Sequence, residues 1–480
     1  MPLIFPSNTL SAAGGVANSC RFNDGDSPSM TKTLGTPTST KIGTFSCWVK
    51  LGNITTEQSM LGAYADSDNR HHIEFQADHN IEIFGKAGGS TDMNLITDAY
   101  YRDPSAGYSV VVAWDTSQGT EADRVKLYVN GTQVTSFATE TYPAQDTVLQ
   151  FNTDGSTIAI GRNQGGNYAD GYLAEVVFID GTQYAASDFG EFDEDSPTIW
   201  KPKDVSGLTF GDEGFYLDFE DSADLGADVS GNSNDLTLTN LAATDQATDT
   251  PTNNFATFNP LYQSTFHATS RAILAEGNTK WTGTSNSTSQ NGILSTLGAS
   301  KGKFYLEAKW GGTGDATIGV AKDDFGMMTA GTGGLQSAGW YGMNTNLSAT
   351  GGAGIAWWSN NVATGDRGST ISSSDIIMMA IDIDNSKLYF GLNGTWEESG
   401  DPTSGATGTG ATSTLASDTT YLIACANYGY STANSFEFNF GSPAYAITSG
   451  NADADDYGNF EYAVPSGYYS LCTKNLAEYG

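Results

Sequence analysis

The chain has 480 residues, 57 of them glycine and only 13 proline, with 55 Asp and Glu against 21 Lys and Arg for a formal net charge of −34. That length holds two or three domains at the usual ~100–200 residues each. The charge, with no basic stripe to neutralise phosphates, excludes nucleic-acid binding, and the apolar runs fall far short of the ~20 residues that span a bilayer.

In chain order, MPLIFPSNTL lacks a basic start and carries a prolyl break, so it does not read as a signal peptide. Residues 1–200 then read as many short strands. TFSCWVKL (44–51) alternates Phe45, Cys47 and Val49 against Ser46, Trp48 and Lys50, the period-two pattern of a strand. HHIEFQADHNIEIFG (71–85) predicts a hairpin folded over Asp78-His79-Asn80. VVVAWDTSQ (110–118) and KLYVNGT (126–132) predict an apolar strand pair ending in an Asn-Gly turn. STIAIGR (156–162) leads through a Gly/Asn loop to DGYLAEVVFIDGTQY (170–184), a strand closed at Asp180-Gly181.

Residues 201–262 are expected to connect two domains. The first part, 201–241, is acidic but still globular in composition; 242–262 loses alternation and gathers Thr, Asn, Asp and Pro, as linkers do. Strands resume from 263. KGKFYLEAKW (301–310) places Phe304, Leu306, Ala308 and Trp310 on one face, with Tyr305, Glu307 and Lys309 on the other. A second hairpin follows in IIMMAIDIDNS (376–386) and KLYFGLNGT (387–395). The expectation is an all-β chain of two antiparallel jelly-roll β-sandwiches, residues 1–200 and 263–480, joined by an irregular acidic connector. Each sandwich needs a central antiparallel pair, and Asn-Gly suits its tight turn, which accounts for the repeated hairpin. The 4 cysteines (Cys20, Cys47, Cys425, Cys472) are too scattered for a disulfide framework or zinc site and are expected in the core.

YSVVVAWDTSQGTEADRVKLYVNGTQVTSF with IAIGRNQGGNYADGYLAEVVFIDGTQY resembles the laminin G-like, concanavalin A-like sandwich over roughly residues 15–200. The second half resembles a SPRY domain over about 295–446, carrying SKGKFYLEAKW, ATIGVA, GWYGMN, GIAWWSNN, DIIMMAIDIDNSKLYFGLNGTW and FEFNFGSPAY in that family's order. The pairing of the two, with the opening MPLIFPSNTLSAAGG and the tail VPSGYYSLCTKNLAEYG, is similar to virion appendage proteins of marine bacteriophages.

Glycan-cleaving concanavalin A-like folds carry alternate carboxylates on one strand. The nearest stretch here is GEFDEDSP (190–197), where Glu191 and Asp193 share a face but Glu194 falls on the other, so it reads as an acidic turn and no catalytic residue is assigned. His72 and Glu74 share a polar strand face and read as a solvated pair rather than metal ligands. Calcium is the cation expected if any is bound, at Asp218, Asp221, Asp224, Asp228 and Asp235, with Asn451, Asp453 and Asp455 a weaker set. Such residues also cap their own turns without metal. For ligand binding the candidates are Trp340, Tyr341, Trp357, Trp358 and Asn360 in the second half, and Asn163, Asn167 and Tyr168 in the first. Aromatic faces stack on sugar C–H patches while amides read hydroxyls. Alternation turns Trp357 and Trp358 opposite ways, so at least one is expected in the core.

The resemblance implies a non-enzymatic virion structural protein of tail-fibre or spike type, assembled in the host cytoplasm and binding a host-surface glycan or protein through sandwich loops. Other virion proteins and further copies of the chain are its expected partners, and membrane insertion is not expected. The alternatives are a capsid or tail decoration protein without receptor binding, and a glycan-degrading enzyme.

Overall fold

The computed structural model describes residues 15–263, 271–283, 292–324, 339–345, 355–360, 362–366 (363–366 by backbone alone), 369–427 and 434–480. Its elements are almost all antiparallel strands, with short helices at Glu121–Arg124 and Thr473–Tyr479. The chain divides into two compact units, with the boundary between Thr252 and Asn253.

In the first unit, one sheet runs in the spatial order Thr132–Gln133, Val125–Val129, Tyr108–Asp115, Ile42–Leu51, Gly171–Asp180, Ser19–Phe22, Gln246–Ala247. The second runs Phe137–Thr141, Ser90–Thr97, Ile81–Ala87, Asn69–Phe75, Gln58–Asp66, Thr157–Ile160, Ser29–Thr33, Thr237–Thr239. The core lies between them and is built from alternate residues: Phe45, Cys47 and Val49 from one sheet meet Ile73, Phe75, Ile81 and Ile83 from the other. At about 25 cal/mol per Å² of apolar surface, each such side chain contributes roughly 1.5–3 kcal/mol on burial.

The expected connector is not one. Phe215–Leu217 pairs with Gly171–Asp180, Thr237–Thr239 with Ser29–Thr33, and Gln246–Ala247 with Ser19–Phe22, so residues 201–252 complete the first sandwich. A buried ion pair fastens this piece: Lys50 Nζ lies 2.6 Å from Asp249 Oδ2. The unit's two ends also lie side by side, Ser19 opposite Ala247 and the Thr252 hydroxyl donating to Val16 O at 2.9 Å.

In the second unit, one sheet runs Phe258–Gln263, Ile293–Ala299, Tyr421–Asn427, Ala316–Lys322, Trp340–Asn344, Ala356–Ser359, Val362–Asp366. The other runs Ile273–Ala275, Lys280–Thr282, Ser435–Asn439, Lys303–Trp310, Ile376–Asp382, Lys387–Leu392, Thr395–Trp396. Phe304, Leu306, Ala308 and Trp310 face the core as their alternation requires. Buried Asp453 ties down the C-terminal segment, accepting from the backbone N–H groups of Tyr457, Gly458 and Ser470 and from Asn475 Nδ2. Burial alone would raise its pKa, but these donors hold it below the usual carboxylate range. Here too the ends meet: Phe255 bridges to Cys472, and Asn254 N donates to the Thr473 hydroxyl at 3.0 Å.

Both repeated hairpins form, and their wiring is the same. Asn130 (φ 48°) and Gly131 (φ 76°) turn the first; Asn393 (φ 47°) and Gly394 (φ 84°) turn the second. Asn130 exchanges two 2.9 Å bonds with the backbone of Ser109, and Asn393 does the same with Ile376. Positive φ at both central residues defines the tight turn that matches strand twist, and Asn and Gly tolerate it best.

Candidate functional site

The second unit's aromatic candidates divide between core and outer face. Trp357 is buried against Phe390 (centroids 5.4 Å apart), and Tyr341 is buried edge-on to Tyr421 at 5.9 Å, both within the main core. Trp340 is buried and Trp358 half-buried on the opposite face of the same sheet, their rings 6.4 Å apart over Leu294, Leu422 and Ala424. Asn360 is exposed, but its Oδ1 accepts from Gly339 N at 2.8 Å and so ties the end of Ala356–Ser359 to the start of Trp340–Asn344. Most of this aromatic surface is therefore spent on packing.

The first unit's candidates come together on a sheet face. Alternation in Asn69–Phe75 sends His71, Ile73 and Phe75 inward and leaves Arg70, His72 and Glu74 on the outer face of the second sheet. The hairpin register sets Glu82 opposite Glu74 and Phe84 opposite His72, with Asn94 next to Phe84 on the following strand. The loop from Arg162 to Asp170 lies over this face. It approaches closely because Gly62, paired with His72, has no side chain: a Cβ there would sit 2.5 Å from Arg162 O and 2.8 Å from Asn163 Cα.

Loop and face are then tied by side chains. Asn163 Nδ2 and Asn167 Nδ2 donate to Glu74 Oε2 at 2.8 and 3.2 Å, and Asn167 Nδ2 also reaches Glu57 Oε2 at 2.7 Å. Arg162 donates to the Tyr64 hydroxyl at 2.6 Å and lies over its ring, while Arg70 lies over Phe84. Tyr168 is half-buried in the loop. Burial pushes the Glu74 carboxyl up, opposed by His72 and Asn167. The expectation of a solvated His72–Glu74 pair is thus wrong in its surroundings. Both are buried under the loop, and Glu82, which sequence reading passed over, joins them. The expected turn over 78–80 would set Glu82 opposite Gln76; the turn is instead centred on Asp78, with Gln76 N donating to Asn80 O at 2.9 Å, and that one-residue shift sets Glu82 across from Glu74.

The acidic candidates serve the backbone. Asp218, Asp221 and Asp224 accept from the N–H groups two residues on, at 3.0, 2.9 and 3.1 Å. Asp228 accepts from Tyr216 N, Ser230 N and Asn234 N, and Asp235 from Asp228 N. Among the described residues these carboxylates form no group of three converging ligands. Asp193 is buried, caps Asp195 and Ser196, and lies 3.4 Å from Lys201, which is 3.5 Å from Glu191. All four cysteines are free and buried, and no described helix is long and apolar enough to cross a membrane.

The fold is nearly all-β, with a lectin-like, concanavalin A-like β-sandwich in its first unit. Residues 23–186 match the laminin G family described as the concanavalin A-like lectin/glucanases superfamily. Solved structures with likeness to the chain include the SPRY domain of human HERC1 (12% identity, covering 38% of this chain and 96% of that one, TM-score 0.26) and the TRIM65 PSpry domain (12%, 38% and 89%, TM-score 0.28). A heptameric SAP-like pentraxin from Limulus polyphemus is another (13%, 36% and 80%, TM-score 0.28). No curated protein sequence matches the chain.

Proposed function

We propose that the chain is a non-enzymatic structural protein of a bacteriophage virion, of tail-fibre or spike type, that binds a host-surface glycan or protein through its sandwich loops. One observation carries the binding assignment: the loop-covered outer face of the first sandwich. It combines half-buried Tyr64 and Phe84 rings, the Arg70 and Arg162 guanidiniums, and the amide of Asn94. Aromatic faces beside amide and guanidinium donors are what a polyhydroxylated ligand requires. The net charge of −34 suits a protein that must stay soluble at high copy number, and its repulsion is weakened by salt. Assembly in the host cytoplasm onto other virion proteins, with further copies of the chain as neighbours, belongs to the same reading.

The test has two parts. Labelled protein is incubated with host cells, and the same protein is located on intact particles by antibody labelling. Adhesion that Arg70→Ala with Asn94→Ala reduces at least tenfold is the expected result. Particle labelling without adhesion makes the chain a decoration protein, and no labelling removes the virion assignment. Shortening of host polysaccharide by the purified protein would replace binding with hydrolysis.

A further inference from the structure

The buried cluster beneath the 162–170 loop has an electrostatic problem that the protein alone does not solve. His72, Glu74 and Glu82 are 7%, 2% and 8% exposed. Two carboxylates are taken out of water there, and among the described residues neither forms an ion pair with Lys or Arg. Burying such charge without a compensating cation costs several kcal/mol per ion.

The imidazole is only weakly satisfied. Its Nδ1 is buried with no hydrogen-bond partner. Its Nε2 lies 3.5 Å from Glu74 Oε1 and 3.5 Å from Glu82 Oε2, beyond the about 2.7–3.2 Å of a well-formed N–H···O bond. These separations have another meaning. Ligand atoms about 2.0–2.2 Å from a tetrahedral ion are about 3.3–3.6 Å from each other, so the two N···O distances match edges of a coordination tetrahedron. All three ligand atoms lie within 4.8 Å of one another.

The surroundings orient the ligands. Glu74 Oε2 is occupied by Asn163 and Asn167, which turns Oε1 toward the imidazole. Stacking on Phe84, centroids 5.1 Å apart and planes 20° from parallel, fixes the ring. Outer-shell hydrogen bonds of this kind position first-shell ligands.

We propose that His72 Nε2, Glu74 Oε1 and Glu82 Oε2 form a binding site for one divalent transition-metal ion of the zinc class. Two carboxylates and a neutral imidazole cancel a 2+ charge. One nitrogen with two oxygens suits zinc, cobalt or manganese better than calcium, which takes about 6–8 oxygen ligands. The ion would pin the first sandwich's outer face from below its loop. Asn163 and Asn167 are positioning residues, acting through Glu74. The inference does not rest on the virion or glycan reading and stands whatever that face binds.

The experiment uses the whole chain, stripped with chelator and titrated calorimetrically with ZnCl2, then separately with CoCl2 read by visible absorption. One ion per chain is expected, with the intense d–d bands of low-coordinate cobalt. Glu82→Gln, which keeps size and hydrogen-bonding capacity, should weaken zinc binding by at least about tenfold and abolish the bands. Asn163→Ala should weaken it about 10–100-fold while retaining the bands. Asp218→Asn with Asp228→Asn controls for adventitious binding to so acidic a chain and should change nothing. Circular dichroism of each chelated variant separates ligand loss from unfolding; if Glu82→Gln unfolds, His72→Gln supplies the same comparison. Absence of binding, or zinc binding unaltered by the ligand variants, overturns the proposal.

Discussion

Glu175 makes the first sandwich sensitive to pH in a direction that can be worked out in advance. It sits at a bulge where Gly171–Asp180 slips register against Ile42–Leu51, with φ 49°, and its Oε2 accepts from the Tyr216 hydroxyl at 2.8 Å. Burial pushes its carboxyl up from 4.5 to about 7; the Tyr216 hydroxyl opposes the rise, and Asp218, Glu220 and Asp204 add to it. Between these two values the folded chain still holds a proton that the unfolded chain has released. Stability from this group is therefore highest below about pH 4.5 and falls as pH rises toward 7. At about 1.4 kcal/mol per pH unit the loss is at most about 3 kcal/mol. Glu175→Gln is uncharged throughout and keeps an oxygen for Tyr216. Urea unfolding of wild type and variant should give equal stabilities near pH 4.5, with the variant ahead by up to about 3 kcal/mol near pH 8. The other titrating groups cancel in that difference. A difference that stays flat across the range would refute the assignment of a half-buried, proton-holding carboxyl.

The two adjacent tryptophans of the second sandwich should respond unequally. Trp357→Ala empties core space against Phe390 and should cost about 3–5 kcal/mol in urea unfolding. Trp358→Ala, on the half-buried outer face, should cost less than half as much, and equal losses would contradict the face assignment. For the first sandwich, a fragment of residues 15–252 should fold and melt cooperatively. One ending at 200 loses three sheet strands and the Asp249 carboxylate beside buried Lys50, worth about 3–5 kcal/mol, and should fail both gel filtration and circular dichroism tests. Equal melting of the two fragments would restore the connector.

Alternation made the cores legible: Phe45, Cys47 and Val49 in one sandwich and Phe304, Leu306, Ala308 and Trp310 in the other all point inward. The piece mistaken for a connector escaped because Phe215–Leu217, Thr237–Thr239 and Gln246–Ala247 are three, three and two residues long. Strands that short carry no measurable period, and the last two pair with partners more than two hundred positions away. The aromatic candidates misled for a different reason. Alternation places one of each neighbouring aromatic pair away from the sandwich core but does not say what covers it, and there Leu294, Leu422 and Ala424 make a second apolar layer for Trp340. Glu82 was missed because its place beside Glu74 depends on hairpin register, which local composition does not express.

Because Ser19 pairs with Ala247 and Phe255 bridges to Cys472, each sandwich is entered and left at a single doorway. A body built that way behaves as a cassette. It can be spliced into the turn of an unrelated polypeptide, or cut out of this one, without pulling apart the strands on either side of the seam. Exchange of whole sandwiches between chains then requires no redesign of either interior, so new binding surfaces can be acquired by recombination rather than by gradual mutation.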